Sequence, residues 1–257
     1  MTPPAPARLH VLLASENDFA LVIRRGPTKQ VCTLGWNRAR DTFELGQWLK
    51  GTIHLAFCDL APDGRHFVYY ASKSLERYTV VSRAPFLKAL HFWSAKKPTY
   101  GGGFFDNERV WILTNKPVPE VRRLPHFARE ENALELTTRA SWRDISDWRR
   151  ERDGWMLQPD DYQRRKRWYK TLGEWTLTSS NYSYGLHRAD FYELRHNAPD
   201  EVVASGEWNW ADFDAPRKRL CLSRDGQLWA LDLKLGATQE LLHDFNAMTF
   251  EPIAAPY

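Results

Sequence analysis

The sequence predicts an all-β fold built from repeated four-stranded antiparallel sheets. Short runs rich in aromatic and β-branched residues recur along the chain, and Gly, Pro and Asp residues separate them. The 12 Trp, 13 Phe and 10 Tyr favour strands, because aromatic side chains pack well on a pleated surface. The same strand–turn–strand unit stands near both ends of the chain, and a unit that returns in this way indicates a repeat protein.

Four strand-length runs make up the first repeat. They cover residues 8–14, 19–24, 31–36 and 41–48. Gly26 and Pro27 form a turn between the second run and the third. A four-stranded antiparallel sheet of about 40 residues is one blade of a β-propeller, so the start of the chain predicts one blade.

Two Asp-Gly turns mark later repeats. In Pro62-Asp63-Gly64, Pro presets the φ of the first corner, Asp bonds to the turn backbone and Gly accepts a positive φ. Asp225-Gly226 separates two further runs in the same way, and residues 238–245 supply an outermost strand. We expect both turns to join antiparallel neighbours. We also expect residues 8–14 to lie beside this C-terminal repeat, because a propeller closes where its ends meet.

The middle of the chain has weaker strand patterns. Runs typical of strands occur at residues 87–93, 109–113, 175–179, 191–195 and 202–205. Residues 140–170 are polar and rich in Trp, and we expect an irregular insertion there, with one amphipathic helix at residues 145–152. Repeats of about 40 to 50 residues divide the chain into five or six blades. The sequence therefore predicts a single small β-propeller domain over residues 1–257.

Charge and cysteine content favour a cytoplasmic protein. The 36 basic and 32 acidic residues give a net charge of +4 and are interspersed, unlike the clustered basic face of a nucleic-acid binder. Cys32, Cys58 and Cys221 lie in apolar runs without C-x-x-C spacing, so we expect reduced, buried thiols. The apolar run at residues 11–14 is too short for a signal peptide, and no stretch is long enough to span a membrane.

Several motifs resemble a group of uncharacterised bacterial proteins. They are RRGP at 24–27, TFE at 42–44, GQW at 46–48, CDLAPDG at 58–64, SRAP at 82–85, GGGFF at 101–105 and DFN at 244–246. The Ala-Pro-Asp-Gly and Ser-Arg-Asp-Gly turns are also similar to those of TolB-like and WD40-like propellers. The resemblance implies the propeller fold and carries no functional residue with it.

Catalytic and metal-binding signatures are missing from the sequence. Its eight His residues lack H-x-x-x-H and H-E-x-x-H spacing, and no G-x-S-x-G motif presents a serine nucleophile. The turn at residues 223–229 is one residue shorter than a sialidase Asp box, which is itself a structural turn. We therefore expect no catalytic residue, no metal ligand and no cofactor.

One segment, residues 142–170, combines basic and aromatic side chains densely. Cations that neutralise phosphates beside rings that stack on bases are the ingredients of single-strand recognition. Arg side chains that cover Trp rings in a solvated loop would give the same pattern. The candidate binding residues are Trp148, Arg149, Arg152, Arg164, Arg165, Arg167, Trp168 and Tyr169.

Three functions agree with these features. The first is a non-catalytic protein–protein interaction module, such as a scaffold, a regulator or a toxin-neutralising partner, because a propeller presents a loop from every blade. The second is a hydrolase with its site at the central channel. The third is nucleic-acid binding through residues 142–170. The first function implies another protein as the partner and the third a nucleic acid, and none involves a membrane.

Overall fold

A computed structural model describes residues 5–26, 29–95, 101–106, 109–112, 145–158, 165–184 and 187–257. Most of these residues lie in strands, and one α-helix, α1 (Ile145–Arg152), stands among them. The chain forms two compact units. The larger unit comprises Val11–Asp153 and Thr249–Tyr257, and the smaller unit comprises Met1–His10 and Gly154–Met248. That residues 1–257 act as one domain stays a prediction.

The first sheet contains the four consecutive strands that the sequence predicted. They are β1 (Arg8–Leu13), β2 (Phe19–Arg25), β3 (Gln30–Asn37) and β4 (Thr42–Lys50), in the order β1-β2-β3-β4. Trp36 Nε1 donates to Asp41 Oδ1 at 3.1 Å across the turn between β3 and β4. Gly46 allows a close approach to the next loop, since a Cβ there would lie 2.4 Å from the Pro85 carbonyl oxygen.

The second sheet contains the first predicted Asp-Gly turn. Its strands are β5 (Thr52–Ile53), β6 (Asp59–Leu60), β7 (His66–Lys73), β8 (Glu76–Arg83) and β9 (Ala89–Ala95), in the order β5-β7-β8-β9 with β6 also on β7. Between the antiparallel β6 and β7, the Gly64 N–H donates to the Ala61 carbonyl oxygen at 2.8 Å. Asp63 Oδ1 accepts the Arg65 N–H at 2.9 Å. The predicted tight turn is confirmed.

A two-stranded hairpin and the helix complete the larger unit. The hairpin consists of β10 (Gly103–Asp106) and β11 (Arg109–Ile112). Helix α1 packs against β10 and the 3-10 turn Leu55–Phe57. It occupies the residues at which the sequence predicted a helix, so that prediction is confirmed. Buried apolar residues of β10, β11 and their neighbours, including Phe105 and Val110, form a core cluster in this part of the unit.

The smaller unit contains two sheets of consecutive strands. The first has β12 (Met156–Gln158), β13 (Arg165–Leu172), β14 (Trp175–Tyr184), β15 (His187–Asn197) and β16 (Asp200–Trp208); the second has β17 (Trp210–Asp214), β18 (Arg219–Arg224), β19 (Gln227–Asp232) and β20 (Glu240–Asp244). Asp225 and Gly226 join β18 to β19 with positive φ at both residues, as a tight hairpin turn requires. The second Asp-Gly prediction is therefore confirmed.

Strand β12 and the first part of β13 lie within residues 140–170, where the sequence predicted an irregular insertion. Among residues 166–172 of β13, for which burial is described, only Trp168 is fully buried, whereas Arg167 on one side of it is exposed and Tyr169 on the other is half-buried. A strand with so few core residues among basic ones lacks the apolar alternation by which strands are identified.

The N-terminal run contacts the C-terminal sheet, as predicted. Within the smaller unit, Asn246 Oδ1 accepts the Ala7 N–H at 3.0 Å, and the Leu9 carbonyl oxygen accepts the Ser223 hydroxyl at 3.3 Å. Strand β1 itself pairs with β2 in the first sheet. Ala7 and Leu9 therefore lie against the C-terminal sheet within the smaller unit.

The sheets have the connectivity of propeller blades. Nearly every strand pairs with its neighbour in the chain, and the ladders are antiparallel. The predicted all-β, propeller-like fold class is confirmed. The three cysteines are free and buried, also as predicted. Burial raises the pKa of both Cys32 and Cys58 to about 12.

Candidate interaction surface

The five-stranded sheet β12–β16 has one face in the core and one that points outward. Trp168, Leu177 and Tyr192, on three neighbouring strands, lie on the core face. In each strand the residues immediately before and after them point to the opposite face. The strand register aligns these outward residues in rows. One row contains Met156, Tyr169, Thr178, Glu193 and Ser205; the next Gln158, Arg167, Ser180, Phe191 and Glu207; the third Thr171, Thr176, Arg195 and Val202. We call the surface that these three rows form the outer face.

Exposed apolar side chains are concentrated on this sheet. Met156 is 45% exposed, Phe191 38% and Val202 42%. They are three of the eight large hydrophobic side chains that are exposed in the described part of the chain; Leu157, also exposed on this sheet, lies opposite Trp168 on the other face. Single exposed hydrophobic residues are ordinary on protein surfaces, but several on one sheet indicate a surface that another molecule covers.

Charged and hydroxyl groups stand between these apolar side chains. Arg195 donates to Asp200 Oδ1 at 2.6 Å and to Glu193 Oε1 at 3.1 Å, and these hydrogen bonds raise the pKa of Arg195. Arg167 Nε donates to the Ser180 hydroxyl at 3.4 Å. The Arg195 charge is thus balanced by two neighbouring carboxylates, and the outer face is mixed in character.

The core face holds the sheet in place. The rings of Tyr192 and Trp208 stack with centroids 5.8 Å apart. Asp212 Oδ2 accepts the Trp155 Nε1–H at 3.2 Å, and its Oδ1 pairs with Lys170 Nζ at 2.7 Å. These contacts fix the strands beneath the outer face, so a ligand would meet a preorganised surface.

Three of the predicted site residues lie on α1 in the larger unit. Arg149 is buried and donates to the Cys58 carbonyl oxygen. Arg152 forms a bidentate ion pair with Asp59, at 2.5 and 3.0 Å, and donates to the Phe105 carbonyl oxygen at 2.7 Å. Trp148 lies against Phe104, with ring centroids 5.2 Å apart. Both arginines thus anchor the helix to the sheet behind it.

The other predicted residues belong to β13 in the smaller unit or precede it. Arg165 begins β13, and Arg164 lies outside the described residues. Trp168 is 1% exposed and part of the core, whereas Arg167 and Tyr169 are on the outer face. The structure therefore places Arg167 and Tyr169 together but Arg149 and Arg152 in the other unit.

A cleft of about 450 Å³ also lies in the smaller unit, where residues 5–8 face the end of β16 and the β18–β19 turn. Its wall carries Arg8 and Arg224 together with Glu207 and Asp225. This cleft was not predictable from the sequence, because its walls come from three separate parts of the chain. The exposed Phe191 was also not among the predicted site residues, because the sequence pattern at 191–195 indicates a strand but not which side chains face outward.

No group of three His, Cys, Asp or Glu side chains that could hold a metal ion occurs in the described residues. Within those residues, no helix has the length and apolar character needed to cross a membrane.

Comparison with known proteins gives no family. No family model and no curated protein matches the chain. An uncharacterised protein from Listeria monocytogenes EGD-e aligns over 96% of this chain and 85% of its own, with 10% identity and a TM-score of 0.35. The WD40 domain of SCAP from fission yeast aligns over 93% of this chain and 46% of its own, with 7% identity and a TM-score of 0.28. Both TM-scores are low, and nothing about function follows from either similarity.

Proposed function

We propose that this protein is a non-catalytic protein–protein interaction module and that it binds a partner protein through the outer face. The observation that carries the proposal is the exposure of Met156, Phe191 and Val202 on one face of a sheet whose other face is packed in the core. Hydroxyl groups and the ion pairs of Arg195 lie among them. A mixture of apolar, aromatic and polar groups is typical of surfaces whose partners bind and dissociate.

The position of Phe191 makes it the expected centre of the contact. In the register it is flanked by Ser180 on one strand and Glu207 on the other, and its side chain is more than a third exposed. Large aromatic residues that become fully covered contribute most of the energy of many interfaces. A scaffold, a regulator and a toxin-neutralising partner would all use such a contact.

The test compares two Asp substitutions. The partner is captured from lysate with the wild-type chain and purified, and its Kd is measured by titration calorimetry. We expect Phe191→Asp to weaken binding at least about tenfold, since hot-spot residues contribute about 2 kcal/mol or more. Leu75→Asp is the matched control, because Leu75 is 93% exposed in the larger unit and lies off the outer face. Equal affinity of the Phe191→Asp chain and the wild type would refute the proposed surface.

A second candidate function uses the same surface. The exposed Arg167, the ring of Tyr169 and the exposed Phe191 share the outer face, and cations beside rings suit single-stranded nucleic acid. Binding to a single-stranded oligonucleotide that weakens steeply with salt, and weakens further with Arg167→Ala, would favour this function. Arg65→Ala, at a solvent-exposed arginine of the larger unit, is the control. No feature of the described ranges specifically favours the hydrolase alternative.

A further inference from the structure

Residues 249–257 belong to the larger unit and form neither helix nor strand. The side chain of Gln47 joins this segment to the unit. Gln47 Nε2 donates to the Ile253 carbonyl oxygen at 2.7 Å, and Gln47 Oε1 accepts the N–H groups of Leu87 and Lys88 at 2.8 and 2.9 Å. Both polar atoms of the Gln47 side-chain amide are therefore hydrogen-bonded. Oε1 fixes the backbone at Leu87 and Lys88, and Nε2 binds the backbone of the segment.

An aromatic side chain anchors the segment at its start. Phe250 packs against Trp48, with ring centroids 5.8 Å apart and the planes tilted by 57°. Lys50 Nζ lies 4.5 Å from the centroid of the Phe250 ring, within cation–π distance. Trp48 and Lys50 both belong to β4, so one strand supplies this first subsite.

A second aromatic side chain anchors the other end. The Tyr257 hydroxyl accepts the Arg83 backbone N–H at 3.0 Å and donates to the Lys88 carbonyl oxygen at 2.8 Å. The Phe86 ring meets the Tyr257 ring edge to face at 6.2 Å, and the Arg83 and Lys88 side chains lie about 5 Å from its centroid. Burial raises the pKa of Tyr257, so the neutral hydroxyl that donates and accepts is favoured.

The composition of the segment suits this mode of binding. It reads Thr-Phe-Glu-Pro-Ile-Ala-Ala-Pro-Tyr, with Pro252 and Pro256 between the two anchors. Proline fixes φ and keeps the preceding residue extended, so the segment loses little conformational entropy when it docks. Extended proline-containing peptides characteristically dock in grooves lined by aromatic side chains.

We propose that Gln47, Trp48, Arg83, Phe86 and Lys88 form a recognition groove for an extended, proline-containing segment of a partner protein with an aromatic residue at each end. Residues 249–257 occupy this groove as a built-in ligand and keep it covered until the partner segment displaces them. The groove lies on the larger unit and shares no residue with the outer face, so the proposal does not depend on the proposed function.

A partner segment is a better occupant than the tail of a second copy. Attachment to the same chain gives residues 249–257 a high effective concentration at their own groove, of order millimolar for a short flexible connection. The identical segment of a second copy has no advantage in affinity and must compete with that concentration. A segment of another protein can displace the tail by making better contacts at the two aromatic subsites.

The experiment measures binding of a fluorescein-labelled synthetic peptide of residues 246–257 by fluorescence anisotropy. A chain truncated after Met248 is expected to bind it, and the full chain at least tenfold more weakly, because its own segment competes. The peptide with both Phe250→Ala and Tyr257→Ala should not bind. Trp48→Ala in the truncated chain should abolish binding, whereas Leu75→Ala should leave it unchanged. A truncated chain with the circular dichroism of the full chain that does not bind the peptide would overturn the proposal.

A full-length variant covers the case in which truncation prevents folding. Phe250→Ala with Tyr257→Ala keeps the whole chain but weakens the built-in ligand, so this variant should bind the unaltered peptide more tightly than the wild type. A folded variant that fails to do so contradicts the proposal. Sedimentation velocity identifies the other occupant. A concentration-dependent dimer of the wild type that is absent from this variant would assign the groove to the tail of a second copy and overturn the proposal as well.

Discussion

At the residue scale, the basic side chains between 142 and 170 serve two different purposes. Arg149, Arg152 and Lys170 are bonded to groups inside the protein, whereas Arg167 is exposed on the outer face. A buried arginine must find acceptors for its N–H groups, because leaving a charge unpaired in the interior costs several kcal/mol. A dense run of arginines is therefore also expected in a helix that is anchored to a sheet through ion pairs, without any role in binding.

The Arg152–Asp59 pair gives a prediction about stability. Asp59 is fully buried and its carboxylate accepts two N–H groups of Arg152, so Arg152→Ala would leave a buried charge without its partner. We expect a loss of about 3–5 kcal/mol in the free energy of unfolding, measured by urea denaturation. Arg65→Ala, which removes an exposed pair with Asp63 at 3.7 Å, should cost less than about 1 kcal/mol. Similar losses for both variants would contradict the anchoring role.

At the element scale, glycines with positive φ lie in two connections of the C-terminal sheet, Gly226 between β18 and β19 and Gly236 between β19 and β20. Gly226 and Gly236 both have φ near +75°, but a Cβ on Gly226 would lie 2.1 Å from Asn246 Oδ1, while nothing lies within 4 Å at Gly236. Gly236→Ala should cost about 1–2 kcal/mol for the backbone alone. Gly226→Ala should cost roughly 1–3 kcal/mol more, because Asn246 must move. Urea denaturation measures both, and equal losses would show that Asn246 shifts without cost.

Strand β1 gives the second prediction at this scale. Its Leu9 and Val11 are each 2% exposed, and burial of one such side chain contributes about 1.5–3 kcal/mol. Deleting residues 1–14 should therefore lower the free energy of unfolding by about 3–6 kcal/mol, a large part of a typical 5–15 kcal/mol. Deleting residues 1–5 is the control, since it keeps the Ala7–Asn246 bond. A melting temperature within a couple of degrees of the full chain would show that β1 is dispensable.

At the scale of the whole molecule, each compact unit contains chain from both ends of the sequence. The larger unit takes back residues 249–257 after the smaller unit, and the smaller unit includes residues that precede the larger one. Neither unit can then form completely before the whole chain is present. We expect a single calorimetric transition with equal calorimetric and van't Hoff enthalpies. Two separable transitions would show that the units fold independently and that residues 1–257 are not one domain.

Much of the secondary structure was predictable because its causes are local. Turn residues such as Asp63 and Asp225 act on their own backbone, and the continuous, mainly apolar runs of β2 and β3 are visible without any distant partner. The helix at 145–152 followed from its own composition. In β13 the local pattern was too weak, since one buried Trp stands among basic residues, and that strand was missed.

By itself, the sequence determined the all-β class, the positions of most strands and turns, and the burial of the three cysteines. Only the tertiary structure decided which basic residues are internal, which face of the β12–β16 sheet is outward, and where residues 249–257 dock. Arg152 meets Asp59 across 93 positions of the chain, and Gln47 meets Ile253 across 206. Contacts of this kind join residues that share no periodicity, so no local pattern in the sequence records them.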